Sequence, residues 1–297
     1  MKVVVTGSTG LIGSALVTNL RADGHEVRRL VRHAPRAADE TQWHPSSGFL
    51  EPSAVDGVDA VVHLAGAGIG DHRWTDNYKQ VIRDSRVQGT TAVAGAVAAA
   101  TKPPRVLISG SAVGFYGDTG EEIFDEACPS GDGFLASVVR DWEAATAPAA
   151  EARVRVVNIR TGIVLSADGG LLKQMLPIFK LGLGGRLGSG RQWMSWVSIA
   201  DHVAAVRYLI TGDDISGPVN VTAPEPVRNK DFTKALARAV HRPAIAIVPS
   251  LALKAALGGF AEEGALVSQR VLPTRLEGAG FTFTFADVDA ALGALVD

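Results

Sequence analysis

A single cysteine, Cys128, stands among the 297 residues. It cannot close an intrachain disulfide or build a multi-cysteine zinc site. A lone thiol in a loop is its plain reading, and a nucleophile is the alternative. There is no surplus of one charge either. Lys and Arg number 29 against 31 Asp and Glu, a formal charge of −2. Without a basic excess the chain is not built for the phosphate backbone, which argues against nucleic acid as main partner and leaves a local anion site open. Long apolar runs are missing. Residues 90–100 form the most apolar helical stretch, far short of the ~20 residues a bilayer span needs. Val3-Val4-Val5 is too short for a signal-peptide core. A soluble, cytoplasmic protein with no membrane partner is the expectation. No repeat, heptad array or low-complexity segment is present, and none of the seven histidines has metalloprotease spacing, so no metal site is expected.

What is present reads as a globular protein, 46% hydrophobic and 20% charged. The first half alternates strand and helix signals. Val3–Val5, Glu26–Arg32, Asp59–Ala65, Arg105–Gly110 and Arg155–Arg160 read as strands. Ile12–Ala22, Tyr78–Ala100 and Gly133–Glu151 read as the helices between them. This order predicts an α/β fold, a Rossmann-type doubly wound parallel sheet with right-handed crossovers. In the second half, residues 169–190 are so rich in glycine that they predict a mobile or tightly turned loop. Trp196–Ile199 and Asp201–Leu209 predict a strand and a helix returning to the main sheet. Asp231–Val240, Ala244–Val248, Ser250–Leu257 and Asp287–Leu295 read as short elements. The resulting expectation is a dinucleotide-binding domain over residues 1–165, with 196–220 returning to it. Residues 166–195 and 221–297 make a smaller C-terminal α+β substrate domain.

The first strand runs into Thr6-Gly7-Ser8-Thr9-Gly10-Leu11-Ile12-Gly13 and then the first helix. Glycine at this spacing permits a sharp turn and a close backbone approach to a pyrophosphate. The helix N-terminus then offers free N–H groups and its positive dipole end to the phosphates. A purely structural turn is the alternative, but strand before and helix after is the context that dinucleotide binding requires. At the end of the second strand an acidic residue would select NAD and an arginine NADP. Leu30-Val31-Arg32-His33 stands there with Arg36 behind it, and Asp23 comes too early. Arg32 therefore points to NADP(H) over NAD(H), against the reading of a solvated surface arginine.

These segments, with others further on, carry a resemblance. Besides Gly7–Gly13 they are His63-Leu64-Ala65-Gly66, the run from Ser109 to Gly117, and Arg160-Thr161-Gly162-Ile163-Val164-Leu165. Leu181–Gly190, Trp196–Asp201 and Gln269-Arg270-Val271-Leu272-Pro273 complete the set. The chain resembles an extended short-chain dehydrogenase/reductase of the NAD-dependent epimerase/dehydratase superfamily. More narrowly, it is similar to the atypical YfcH-like epimerase family proteins. The resemblance spans essentially the whole chain, and residues 249–295 are similar to a segment catalogued only as a domain of unknown function. It implies that Leu64, Ala65 and Gly66 pack along the cofactor. It implies that Ser111 takes the catalytic serine position with Ser109 beside it, and that Arg160 to Ile163 lie near the nicotinamide. Dimers are common among such enzymes, so a homodimer is open, although nothing in the sequence shows an interface.

Two departures stand out. The superfamily's acid/base is a Tyr-x-x-x-Lys pair on the helix after the serine strand, whose phenol is acidified by the lysine and the nicotinamide cation. Counting from Glu143 places Leu135 and Val139 there; shifting by one gives Phe134 and Val138. Neither register supplies a phenol or an ammonium. On the long helix, Arg86 replaces the usual asparagine, either as a ligand for a cofactor phosphate or anionic substrate or as an exposed arginine. Tyr116 sits in a loop. Tyr78 and Lys79 are adjacent and do not share a helix face. Glu121, Glu122, Asp125 and Glu126 read as a solvated face from which one base could come. His63 reads as a buried structural histidine. Trp193 and Trp196 read as pocket cover or as core, and Gln269-Arg270 as a surface pair or a reach into the cleft.

Two functions follow from the sequence. One is an NADP(H)-dependent oxidoreductase or epimerase-like enzyme with a non-standard acid/base and a small-molecule substrate. The other is a non-catalytic NADP-binding redox sensor or regulatory protein.

Overall fold

The computed structural model describes residues 1–296. In chain order the elements are β1 (Lys2–Thr6), α1 (Leu11–Ala22), β2 (Glu26–Val31), β3 (Glu40–Gln42), β4 (Ala60–His63), α2 (Asp76–Ala99), β5 (Val106–Ala112), α3 (Phe134–Ala144), α4 (Ala147–Glu151) and β6 (Arg155–Thr161). The second half comprises β7 (Ile163–Leu165), α5 (Gly170–Lys180), β8 (Gly185–Leu187), β9 (Trp193–Met194), β10 (Trp196–Ser198), α6 (Ile199–Thr211) and β11 (Gly217–Val221). It continues with β12 (Val227–Arg228), α7 (Asn229–Ala239), β13 (Ala246–Val248), α8 (Ser250–Leu257), α9 (Thr274–Gly278) and α10 (Val288–Val296).

Seven parallel strands form the main sheet in the order β11-β6-β5-β4-β1-β2-β3. The alternation of side chains explains why the strands read as unbroken apolar runs. Val3 and Val5 face α1 and α6, where Leu16, Leu20, Val206 and Leu209 are buried. Val4, between them, faces the other way, onto Val93 and Val97 of α2 and Ala149 of α4. Helices thus cover both faces, as the strand–helix alternation predicts.

The expected single helix over residues 133–151 is two helices. Pro148 lacks an N–H and cannot continue α3, but it suits the first turn of α4. The helix break is held by Thr146, whose hydroxyl donates to the Glu143 carbonyl. The glycine-dense stretch is largely regular: α5, a tight turn, then β8. Its glycines are packed. A Cβ on Gly184 would lie 2.6 Å from the Phe179 ring, and one on Gly185 2.2 Å from the Ala246 carbonyl oxygen. The strand at Trp196 does not join the main sheet. β10 pairs with β7 in a separate two-stranded sheet, because the chain turns away at Gly162, where a Cβ would lie 2.5 Å from the Ser195 carbonyl oxygen. β11 is the strand that completes the main sheet, and α6 packs on its face.

Asp201 explains the Trp196–Asp201 segment. Buried at the start of α6, it accepts from the Ser198 hydroxyl and from the backbone N–H groups of Thr284 and Phe285 at 2.7 and 3.0 Å. It therefore fastens the C-terminal segment to α6. Asp201→Ala removes the buried acceptor of two part-buried N–H groups and is expected to lower stability by about 1–3 kcal/mol, read as a fall in the urea midpoint with an unchanged slope.

Candidate functional site

The chemistry-bearing segments converge at the C-terminal ends of β1, β2, β4, β5 and β6, where ligands bind in open α/β sheets. Gly7 has φ +66°, and a Cβ there would lie 2.7 Å from the Leu64 carbonyl carbon. A Cβ on Gly13 would lie 2.2 Å from the Gly7 carbonyl oxygen. Any side chain at either position must break the turn. Gly10 caps α1, with its N–H on Gly7 and its carbonyl receiving Ser14. Leu11, Ile12 and Gly13 are the first residues of α1, whose N–H groups have no partner within a helix. Ser8 is buried with an unpartnered Oγ, while Thr9 is exposed. Leu11 packs toward Gly169 and Gly170.

Thr6 organises the neighbouring strand end. Its Oγ1 accepts from the N–H groups of Leu64 and Ala65 at 3.1 and 3.2 Å, so its own proton goes to His63 Nδ1 at 2.8 Å. This selects the tautomer with the proton on Nε2, which has no partner among the described residues. Burial pushes the His63 pKa down to about 4, so the ring is neutral and structural, as its place in the strand suggests. β4 ends at His63, and Leu64, Ala65 and Gly66 form the loop beyond it rather than the strand end. That loop is pinned to α2. Ser85 Oγ accepts the Ala67 N–H, Arg86 Nη1 donates to the Ala67 carbonyl at 3.0 Å, and Tyr78 donates to the Gly68 carbonyl.

Arg86 is therefore not an exposed helix arginine. Its guanidinium lies under Gly66, 5.0 Å from the Trp142 ring centroid, and burial lowers its pKa to about 10. Arg32 is the first residue after β2 and is exposed. The carboxylates nearby are taken. Asp39 pairs with Arg29 at 2.6 Å and with Arg21, and Glu40 pairs with Arg29 at 3.1 Å. Hydrogen bonding from Arg29 holds Asp39 at about 2. Arg32 and Arg36 have no ion-pair partner among the described residues.

β5 extends two residues beyond the expected Gly110, through Ala112, so Ser111 lies inside the strand as Ser109 does. Parallel register sets Ser111 beside Arg160 of β6. Ser111 is only 4% exposed, and its hydroxyl donates to Glu143 Oε1 at 2.6 Å. Both Glu143 oxygens also receive Arg160, from Nε at 2.8 Å and Nη2 at 2.9 Å. Arg160 Nη1 donates to the Tyr116 hydroxyl at 2.9 Å, which donates onward to Asn220 Oδ1 at 2.8 Å. The Phe115 ring lies 3.4 Å from the guanidinium carbon. Burial, the largest single influence, disfavours charge on Arg160, but the hydrogen bonds and charge of Glu143 together with Tyr116 outweigh it and its pKa is raised. Burial likewise raises Tyr116 to about 12, which keeps it a phenol at neutral pH. The Arg160 guanidinium, expected beside the nicotinamide, is turned into the protein instead, because its acidic partner lies on α3. Ile163 begins β7 and donates to the Ser195 carbonyl at 2.8 Å.

The helix positions named for the missing pair carry what the sequence says. Leu135 lies against Gly114 and Val139 is buried; Phe134 and Val138 belong to an apolar cluster with Trp74 and Phe260. The acidic loop is engaged. Glu121 receives Arg228 and the Trp193 indole, and Glu126 accepts the Asn220 N–H at 2.9 Å. Cys128 bonds locally to Asp125. Trp196 is core, whereas Trp193 is held between the guanidiniums of Arg228 and Arg270. Gln269 reaches the Val113 and Gly117 carbonyls behind the serine strand. The sequence reading missed Glu143 as the acceptor at the centre of this network. The one available signal was its use as the counting anchor on α3. Among the described residues no three acidic, histidine or cysteine side chains gather as a metal site.

The fold and the glycine turn define a Rossmann-type α/β protein. Residues 3–222 match the profile of the NAD dependent epimerase/dehydratase family, and the chain belongs to that family. Residues 248–295 match a domain of unknown function, DUF1731. The chain is 50% identical over 291 residues to epimerase family protein Mb2239 of Mycobacterium bovis, covering 98% of this chain and 96% of that one. It is 41% identical to the chloroplastic SDR39U1 homolog of Arabidopsis thaliana, covering 100% and 87%. The crystal structure of human epimerase family protein SDR39U1 with NADPH superposes with a TM-score of 0.91 at 31% identity, covering 100% and 99%.

Two predictions follow from the buried groups. Arg160→Met leaves Glu143 buried without its cation and is expected to cost about 3–5 kcal/mol in chemical denaturation; adding Glu143→Gln should recover part of that loss, since the two share one network. His63 and His202 are both pushed to about 4 by burial. An unfolded histidine titrates near ~6.5, so between that pH and about 4 the unfolded chain binds more protons. Stability is thus full above pH ~6.5 and falls as the pH drops through the folded value. His202→Gln should make the thermal midpoint less dependent on pH across that window.

Proposed function

We propose that the protein binds NADP(H) at the glycine turn and acts as an oxidoreductase or epimerase-like enzyme on a small-molecule substrate. The observation that carries this reading is the cradle itself. Gly7 and Gly13 leave no room for a Cβ against the backbone of Leu64 and of Gly7, which fixes the tight turn from β1 into the N-terminus of α1, the end suited to a pyrophosphate. The buried, unpartnered Ser8 Oγ beside it is a hydroxyl without a protein acceptor or donor. The bound nicotinamide would supply a hydride donor or acceptor.

The chain's own residues would hold it. The N–H groups from Leu11 to Gly13 face the phosphates. Leu64, Ala65 and Gly66 form the wall along the cofactor, held in place by Thr6 and by Arg86. Arg32, with Arg36 near it, receives the 2′-phosphate; the neutralised Asp39 and Glu40 leave no local carboxylate to repel it. The NADPH in the human relative's structure supports this preference. Ser109 and Ser111 support the floor of the site from β5. Arg160, committed to Glu143, positions Ser111.

A second reading, a redox sensor without turnover, is favoured by one specific arrangement. Leu135 and Val139 cannot carry a proton, and the Ser111 hydroxyl is committed to Glu143. NADPH oxidation across a panel of carbonyl compounds and nucleotide sugars separates the two. Acceleration by any member establishes the enzyme; none, with different affinities for NADP⁺ and NADPH, establishes the sensor.

The cofactor assignment is tested by titration with NADPH and NADH, following nicotinamide fluorescence. Arg32→Ala should weaken NADPH binding about tenfold to a hundredfold, the loss of one charge-assisted contact, and leave NADH unchanged. Equal loss of both would remove Arg32 from the 2′-phosphate.

A further inference from the structure

Large aliphatic side chains are exposed in one part of the molecule far more than elsewhere. Leu181, Ile245 and Leu251 are 74%, 87% and 79% exposed, and Ile178, Leu183 and Ile247 are each more than half exposed. They come from the end of α5, the turn after it, β13 and the first turn of α8. β13 pairs in parallel with β8, and Pro243 packs on Gly182, so these segments are neighbours. Exposed apolar residues scattered singly need no explanation, whereas a contiguous group of this kind marks an interaction surface.

The charge around it is one-sided. Residues 169–200 and 232–261 together contain eight of the chain's 29 Lys and Arg and none of its 31 Asp and Glu. This is in a chain whose net charge is −2. Three of those cations are answered from outside the two segments: Lys234 by Asp231, Arg238 by Asp289 and Lys254 by Glu262. Lys173, Lys180 and Arg242 have no ion-pair partner among the described residues, and Arg242 Nε donates to the Lys180 carbonyl, which brings the last two together. The exposed side of α5 carries Lys173, Ile178 and Lys180, while Leu172, Leu176 and Phe179 point into the core.

We propose that this face docks the protein on a bilayer surface bearing anionic headgroups. Aliphatic tips from separate segments enter the interface, and Lys173, Lys180 and Arg242 meet the phosphates. No helix of the described residues is long and apolar enough to cross a membrane, so the association is at the surface. A second copy of the chain fits less well. A two-fold contact would set Lys180 and Arg242 against their own equivalents, and the carboxylates that border the face, Asp231, Glu262 and Asp289, are already paired with Lys234, Lys254 and Arg238. The grooves around Trp43 and beside Tyr208 are lined by other residues.

The experiment is flotation of the full chain with vesicles of phosphatidylcholine alone and of equimolar phosphatidylcholine and phosphatidylglycerol. The expected result is a bound fraction about tenfold or more higher on the anionic vesicles, falling at high salt. Lys180→Gln with Arg242→Gln should remove the preference for anionic vesicles. Leu181→Ser with Ile245→Ser should remove most binding to both. All four side chains are exposed, and an unchanged thermal midpoint and NADPH affinity confirm the fold. Absence of flotation on the anionic vesicles, or flotation that neither pair of substitutions alters, overturns the proposal. So does concentration-dependent dimerisation abolished by Leu181→Ser with Ile245→Ser, which would make the face a protein interface.

Discussion

The buried pair of Glu143 and Arg160 is the contact on which the site end of the molecule depends. It joins α3 to β6, and through Ser111 and Tyr116 it reaches β5 and Asn220 of β11. A guanidinium taken out of water is tolerated only when its donors are satisfied. Here they are met by both oxygens of one carboxylate and by a phenol, with the Phe115 ring alongside. The strand ends that would cradle a nucleotide are thereby held at fixed separations. The same commitment takes Ser111, Tyr116 and Arg160 out of the list of free proton carriers. Rigidity behind the cleft and scarcity of acid/base groups within it have one physical origin.

A second constraint operates on the other side of the cleft. Thr6 accepts two backbone N–H groups and donates to His63, which fixes the loop after β4 against the glycine turn. Gly7 and Gly13 then approach so closely that only hydrogen fits between backbones. The two sides of the candidate site are built differently. The glycine side is shaped by steric exclusion, and the serine side by a charged network. Substitution at the first acts through backbone strain, and substitution at the second through an uncompensated buried charge.

The order of strands and helices in the first half was legible because buried parallel strands are apolar throughout and their helices carry a clear period. The glycine turn was legible because its spacing has a steric meaning. Leu135 and Val139 were legible as the absence of a phenol and an ammonium. The break before Pro148 and the ordered glycines after α5 were harder to see. Whether Pro148 starts a helix and whether Gly184 packs under Phe179 depend on what lies opposite. β7, β9 and β12 are two or three residues long, too short for any periodicity to register.

By itself the sequence determined the α/β class, the glycine turn between β1 and α1, and the lack of a Tyr-x-x-x-Lys pair. Each of these is a matter of residue type at a local spacing. Tertiary structure alone decided that Arg160 turns inward to Glu143, that Arg86 props the loop after β4, and that Trp196 is core while Trp193 is not. It also brought the end of α5 beside β13, with Ile178, Leu181, Leu183, Ile245 and Ile247 exposed. Those outcomes are set by which partner lies across a gap of a few ångströms, and residues far apart in the chain become partners only when the sheet and its crossovers have closed.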